Sequence, residues 1–377
     1  MNENESIKRR RKAILEEIKN RDFDTVIFIN EVINQNPSNF IYMSGSWGYG
    51  EEHCSIIIDV SGQSSVIVPH WSATKIEALE AYDHVIPIKQ EKGHHIRATR
   101  RTIERYYDAE KICFDLSTMS TQFALQLFKS LNLKPLDKID ISDYTYKLRA
   151  IKDEYEINQL KKAIQITEQA VIDIALLAKP GKNINELKRR LDAKMIKLGA
   201  VEFAFDSSIS FSRGLPKQSN VIKYGDMLSI DVGCSVSSGY CSDMGRNIPI
   251  SLDAQVKNFL DRAVDAHKEG IKFIKEGAIA SDVLKESSRI NQEHGFEPII
   301  RCGHQIGLDC HDYLMPYAPN FGPIDTDKQP LLKGMTLTYE PPHIDKKKLL
   351  RTHFEDIILV GGNSPIILNQ LPWNFLW

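Results

Sequence analysis

Ser229-Ile230-Asp231-Val232-Gly233 is an apolar, strand-like run that closes on an aspartate, and Gly239-Tyr240-Cys241-Ser242-Asp243-Met244-Gly245-Arg246 brings a second aspartate twelve residues later. A carboxylate in an otherwise buried strand is costly unless it is paired or metal-bound. A turn and return strand between the two segments would set Asp243 beside Asp231. One such aspartate reads equally well as a cap or an ion pair. Two on facing strands, with no evident cation between them, favour a divalent metal.

Further along, Arg301-Cys302-Gly303-His304-Gln305-Ile306-Gly307-Leu308-Asp309-Cys310-His311-Asp312 supplies two imidazoles seven positions apart. A lone histidine is more often structural than functional, but these are not alone. Gly334-Met335-Thr336-Leu337-Thr338-Tyr339-Glu340 ends a strand-like run on a carboxylate, and Phe354-Glu355-Asp356-Ile357-Ile358-Leu359-Val360 opens another with one. Acids at the edges of apolar strands are what a site on the face of a sheet requires.

Upstream of Asp231, the spacing predicts one long amphipathic helix from Lys152 to Ala178, ended by Pro180-Gly181, and a second from Ile184 to Leu198. Strands are expected around Leu228 to Val232, at Ile299 and Ile300, and over Met335 to Tyr339 and Ile357 to Val360. Helices followed by strands predict an α+β domain with a curved antiparallel sheet. The chain before about residue 145 alternates helical patterns with short apolar runs such as Thr25 to Ile29, Ser55 to Val60 and Ser65 to Val68, an α/β pattern. Two domains are therefore expected, 1–148 and 149–377, as the length also suggests. Gly45-Ser46-Trp47-Gly48-Tyr49-Gly50 lacks the spacing of a phosphate loop or a dinucleotide fingerprint and reads as a connecting loop.

With 42% hydrophobic residues, 26% charged residues and a net charge of -2, the chain has material for cores and no excess of either sign. Nucleic acid is not an expected partner. The basic run Lys8 to Lys12 is interleaved with the helical spacing of Ile14, Leu15 and Ile18 and reads as the solvated face of a first helix. Met1 to Arg21 lacks the apolar core of a secretory signal, and no segment reaches the roughly 18 uninterrupted apolar residues of a membrane span. A cytoplasmic protein with no membrane partner is expected. The six cysteines form no C-x-x-C pair and read as reduced, buried thiols.

From Arg149-Ala150-Ile151-Lys152 to Val360 these motifs, in this order, resemble the pita-bread metallopeptidases, which include prolidase, aminopeptidase P, methionine aminopeptidase and the related creatinase. The separate amino-terminal domain is similar to the creatinase-like α/β domain of the prolidase, aminopeptidase P and creatinase branch. The resemblance implies two divalent metal ions per chain. Asp231 would chelate one ion and His304 the other, with Asp243 and Glu355 bridging and Glu340 completing the set. Four carboxylates and one imidazole suit Mn²⁺ above all, then Co²⁺ or Fe²⁺, with Zn²⁺ still compatible. The resemblance further implies that Glu340 moves a proton to the leaving nitrogen, that His311 donates to the tetrahedral intermediate, and that the protein is a homodimer.

Four positions depart from that pattern. Lys217 stands where the family usually carries a histidine, His353 where it carries an arginine, Gly245 where it carries a threonine, and Gln305 where a glycine follows the metal histidine. Lys217, His311 and His353 are the residues expected to touch substrate. The leading reading is an Xaa-Pro dipeptidase or Xaa-Pro aminopeptidase acting on short peptides. The alternative is a hydrolase or lyase of the same fold that acts on a small zwitterionic metabolite, such as an ectoine-like cyclic amidine, whose carboxylate Lys217 would hold. A non-catalytic binding protein is the third reading, weakened by the intact ligand set.

Overall fold

The computed structural model describes residues 1–31, 38–88, 94–107, 111–133, 139–312 and 330–376. Two units divide the chain, Met1–Arg149 and Ala150–Trp377. In the first, β-branched runs form the strands β1 (Thr25–Asn30), β2 (Cys54–Asp59), β3 (Ser64–Pro69), β4 (His84–Ile88) and β5 (Ile112–Phe114). They order as β4-β3-β2-β1-β5. The β1–β2 and β2–β3 pairs are antiparallel, whereas β3–β4 and β1–β5 are parallel. The helices are α1 (Glu3–Asn20), α2 (Ser38–Ser44), α3 (His70–Glu77), α4 (His94–Tyr106), α5 (Thr121–Leu131) and α6 (Ser142–Ala150). Ile103, Phe123 and Leu127 from α4 and α5 share a core with Ile27, Ile57 and Ile67 of the sheet.

The basic run of α1 is not wholly solvated. Ile7, Arg10, Ile14 and Ile18 fall on one helical stripe, and that stripe is buried. Arg10 is only 1% exposed; its guanidinium donates to the Tyr42 carbonyl at 3.0 Å and lies 4.4 Å from the Tyr42 ring centre. Lys8 and Lys12 stay exposed. The glycine-rich stretch at 45–50 forms a short 3-10 turn over Ser46–Gly48, tied down by donation from the Ser46 amide and hydroxyl to Glu3 at 2.7 and 2.9 Å.

The second unit begins with α7 (Glu154–Leu177), started by a reciprocal Asp153/Glu156 capping box, and α8 (Ile184–Lys197). Then come β6 (Glu202–Phe203), β7 (Ser208–Phe211), β8 (Met227–Val232), β9 (Cys234–Ser235) and β10 (Met244–Pro249). After them run α9 (Ala254–Ile271) and α10 (Ala280–Glu293), followed by β11 (Thr336–Tyr339), β12 (Ile344–Asp345), β13 (Leu350–Arg351), β14 (Asp356–Val360) and β15 (Pro365–Ile367). Two helices followed by a three-stranded antiparallel sheet thus occur twice, as β10-β8-β7 and as β11-β14-β15. Two differences from the sequence reading stand out. Helices α9 and α10 were not foreseen, and Ile299 and Ile300 form no strand: Ile299 is buried while Ile300 is 73% exposed.

The antiparallel sheet expected as one surface is built as these two, and they meet where Gly245 pairs with Glu355. The Glu355 amide donates to the Gly245 carbonyl at 3.1 Å. Arg246, buried just beyond, donates to the carbonyls of both Gly245 and Glu355 at 2.8 Å. Among the described residues, no helix is long and apolar enough to cross a membrane.

Candidate metal centre

Strand β8 is the middle strand of its sheet, with Met227, Leu228, Ile230 and Val232 wholly buried and Asp231 half-buried among them. Strand β10 returns antiparallel with Gly245 opposite Asp231, which sets the buried Asp243 just ahead of it. The turn between them needs Gly239 at a φ of 87°. In the other sheet Glu340 directly follows β11 and Glu355 directly precedes β14. His304 is laid alongside β11 by exchange with Thr338: its amide donates to the threonine hydroxyl at 3.1 Å, and the Thr338 amide donates to its carbonyl at 2.7 Å.

These elements converge their side chains. His304 Nε2 lies 3.5 Å from Asp243 Oδ2, 3.7 Å from Glu340 Oε1 and 3.9 Å from Glu355 Oε1. His353 Nε2 lies 3.2 Å from Glu355 Oε2 and 3.8 Å from Asp231 Oδ1. Two groups of potential ligand atoms result, Asp231/His353/Glu355 and Asp243/His304/Glu355, each spanning no more than 4.8 Å and joined through Glu355. All five expected donors are thus brought together, with His353 among them.

Two features fit a cation. Asp243 Oδ1 is buried and has no hydrogen-bond partner among the described residues, a costly state for a carboxylate oxygen unless a positive charge completes it. His304 Nδ1 donates to the Gln305 carbonyl at 2.9 Å, which aims Nε2 toward the acids. The other Asp243 oxygen, Oδ2, accepts from the Cys310 thiol at 3.1 Å.

The cluster's electrostatics follow from burial and like charge. Asp243, Glu340 and Glu355 are each pushed up to about 7, by burial first and then by Asp231 beside Asp243, Glu355 beside Glu340, and Asp243 beside Glu355. Burial pulls the His353 imidazole down, but the Glu355 hydrogen bond and the charges of Glu355, Asp231 and Glu340 outweigh it and lift His353 to about 9. Carboxyls raised in this way keep protons that the unfolded chain has already lost, so the stability this cluster contributes to the metal-free protein falls as pH rises from about 4 to about 7. Divalent ions displace those protons. The melting-temperature gain from a fixed excess of Mn²⁺ is therefore expected to be small at pH 5 and to grow up to pH 8. A gain independent of pH would show that ions bind away from these carboxylates.

Around the donors lie positioning contacts. Arg246 Nη2 donates to Asp356 Oδ1 at 2.6 Å, both side chains being 1% exposed, and Trp373 Nε1 donates to Asp356 Oδ2 at 2.5 Å. Lys152 and Asp312 form a buried ion pair at 3.3 Å that anchors the end of the histidine-bearing segment. A Cβ at Gly307 would stand 2.3 Å from Asp312 Oδ2, so a side chain there would displace the Lys152–Asp312 pair. His311 lies against His304 with ring centres 4.2 Å apart and the rings tilted by 35°; burial, then the His304 and Arg301 charges, hold it below the usual imidazole range. Gln305 is buried with Nε2 lacking a partner among the described residues. Lys217 is paired with Asp226 and stands 4.3 Å from the Phe211 ring centre.

Sequence reasoning missed the place of His353 beside Asp231 and Glu355, the Cys310 thiol on Asp243, and Arg246. Arg246 alone had a readable signal: an arginine within a strand of otherwise uncharged residues requires an acid, and Asp356 follows a donor.

The model of metallopeptidase family M24 matches residues 158–361. An uncharacterized peptidase of Methanocaldococcus jannaschii is 31% identical over 250 residues, which cover 63% of this chain and 70% of that protein. The Xaa-Pro dipeptidase of Pyrococcus horikoshii is 28% identical over 256 residues, covering 66% and 70%. Among solved structures, the X-Pro aminopeptidase of Thermotoga maritima superposes with a TM-score of 0.79 at 22% identity, over 93% of this chain and 97% of that one, so the two share the pita-bread fold.

Proposed function

Because the chain belongs to metallopeptidase family M24, we propose that it hydrolyses short Xaa-Pro peptides, as a dipeptidase or aminopeptidase, with two divalent ions held by Asp231, Asp243, His304, Glu340 and Glu355. The observation that carries this reading is the pair of ligand groups meeting at Glu355, with one buried Asp243 oxygen left without a hydrogen bond among the described residues. The oxygen-rich donors favour Mn²⁺. The Xaa-Pro choice draws on the name of the Pyrococcus horikoshii relative.

When bound, divalent ions supply Lewis acidity, polarising an amide carbonyl and activating a water. Glu340, held near 7, is suited to take a proton from that water and return it to the leaving nitrogen near neutral pH. His311 is held neutral, which still leaves it one N–H to donate to the developing oxyanion. A metabolite carboxylate gripped by Lys217 has weaker support, because that ammonium already has Asp226 as its partner.

Protein reconstituted with Mn²⁺ is expected to cleave Xaa-Pro dipeptides or tripeptides and to leave a cyclic amidine carboxylate intact. Opening of the amidine, with no peptide in the panel cleaved, would overturn the peptidase reading in favour of the metabolite hydrolase.

A further inference from the structure

We propose that His353 is itself a metal ligand, so that each of the two groups joined at Glu355 carries one imidazole. The inference rests on the two-metal reading above and adds a donor that the resemblance does not supply, since the resemblance implies an arginine here. A guanidinium has no lone pair and never loses its proton in a protein, so it can only neutralise neighbouring acids. An imidazole at the same place can coordinate.

The geometry favours coordination. The same nitrogen, Nε2, faces carboxylate oxygens of both Asp231 and Glu355, and the three ligand atoms lie within the reach of one cation. The backbone that carries the ring is also held. The His353 amide donates to Asn247 Oδ1 at 2.8 Å, and the Asn247 amide group donates onward to the Ser212 hydroxyl at 3.0 Å and the Leu228 carbonyl at 3.2 Å. Such a support fixes the histidine's position before any ion arrives.

Gly245 makes the room. A Cβ built there would stand 2.1 Å from His353 Cδ2 and 2.8 Å from the His353 carbonyl oxygen, so a side chain at 245 and an imidazole at 353 cannot share this space. Two of the four departures from the family pattern are thus one arrangement: the glycine opens the space and the histidine fills it. The group on the Asp231 side thereby gains a nitrogen donor, which shifts its preference from Mn²⁺ toward ions that favour imidazole, Co²⁺ and Zn²⁺.

The test is made on full-length protein reconstituted with Co²⁺. X-ray absorption should count about one imidazole per ion in the wild type and about one per two ions in His353→Ala. In metal competition, His353→Ala should weaken one of the two ions by at least about tenfold while the other changes by less than about threefold. Gly245→Ala leaves every donor chemically intact but drives the ring away, and it should weaken the same ion. Two ions bound with an imidazole count that His353→Ala does not change would overturn the proposal and leave the two-metal reading standing. A wild-type protein that takes up no ions would overturn both.

Discussion

Asp243→Ala is expected to lower kcat/KM by at least about three decades, roughly 4 kcal/mol of transition-state stabilisation, while the metal-free variant unfolds no earlier than the metal-free wild type. The two effects separate because Asp243 gives the empty fold little. Its Oδ1 has no hydrogen-bond partner among the described residues, its Oδ2 takes only a thiol donor, and burial together with Asp231 makes its charge unfavourable. Removing it relieves that repulsion and leaves a small cavity, two terms of opposite sign. What is lost is a donor buried beside His304. Asp243→Asn keeps the volume and an acceptor for Cys310 but not the charge, and should fail as Ala does. The measurements are steady-state kinetics with Mn²⁺ and thermal melts with and without it. The melting-temperature gain from metal should shrink in both variants. Near-normal activity in either would remove Asp243 from the ligand set.

Asp356→Ala should cost about 3–5 kcal/mol of stability, because it removes the carboxylate that is ion-paired with the buried Arg246 guanidinium. Burial pushes the Asp356 carboxyl up, yet the Arg246 charge and then His267, 3.6 Å away, outweigh it and hold the group below the usual carboxylate range. Arg246 also donates to the carbonyls of Gly245 and Glu355, so freeing it loosens the seam between the two sheets. Replacing both partners, Arg246→Met with Asp356→Leu, should cost clearly less than the sum of the single changes, since neither charge is then stranded. Urea unfolding of the metal-free variants measures this. Additive costs would show that the two side chains act independently.

Asp231, Asp243, Glu340 and Glu355 stood out in the sequence because each is an acid at the edge of an apolar strand, where burial demands a partner whatever the fold's details, whereas His304 lies on no strand and joined them through the order of the family's motifs. Helix α7 was legible from its apolar spacing and from the Pro180-Gly181 stop. Helix α9 carried the same kind of signal in Val256, Phe259, Leu260 and Ala263 behind the N-cap Asp253, and there the reading passed over it. Other features depend on which strands adjoin. The role of His353 follows from Gly245 standing against it across the seam, and the role of Arg246 from Asp356 on the other sheet. Local pattern signals that Arg246 needs an acid but not that the adjoining strand supplies it, and it gives no sign of the neighbour of His353. Arg10 shows the reverse limit: a charged residue on an apolar stripe reads as solvent-facing because its acceptor, the Tyr42 carbonyl, belongs to another helix.

The seam where Gly245 pairs with Glu355 also bears on the order of events during folding. Arg246 and the Glu355 carbonyl it holds are 109 positions apart, so closing the seam is a long-range step with a correspondingly large loop-closure entropy. Asp231 and Asp243 can be neighbours as soon as β8 and β10 pair, but neither ligand group is complete until Glu355 arrives. On the two-metal proposal, ions would meet a complete ligand group only once the two sheets have docked, and would slow the reopening of that seam more than they speed its formation.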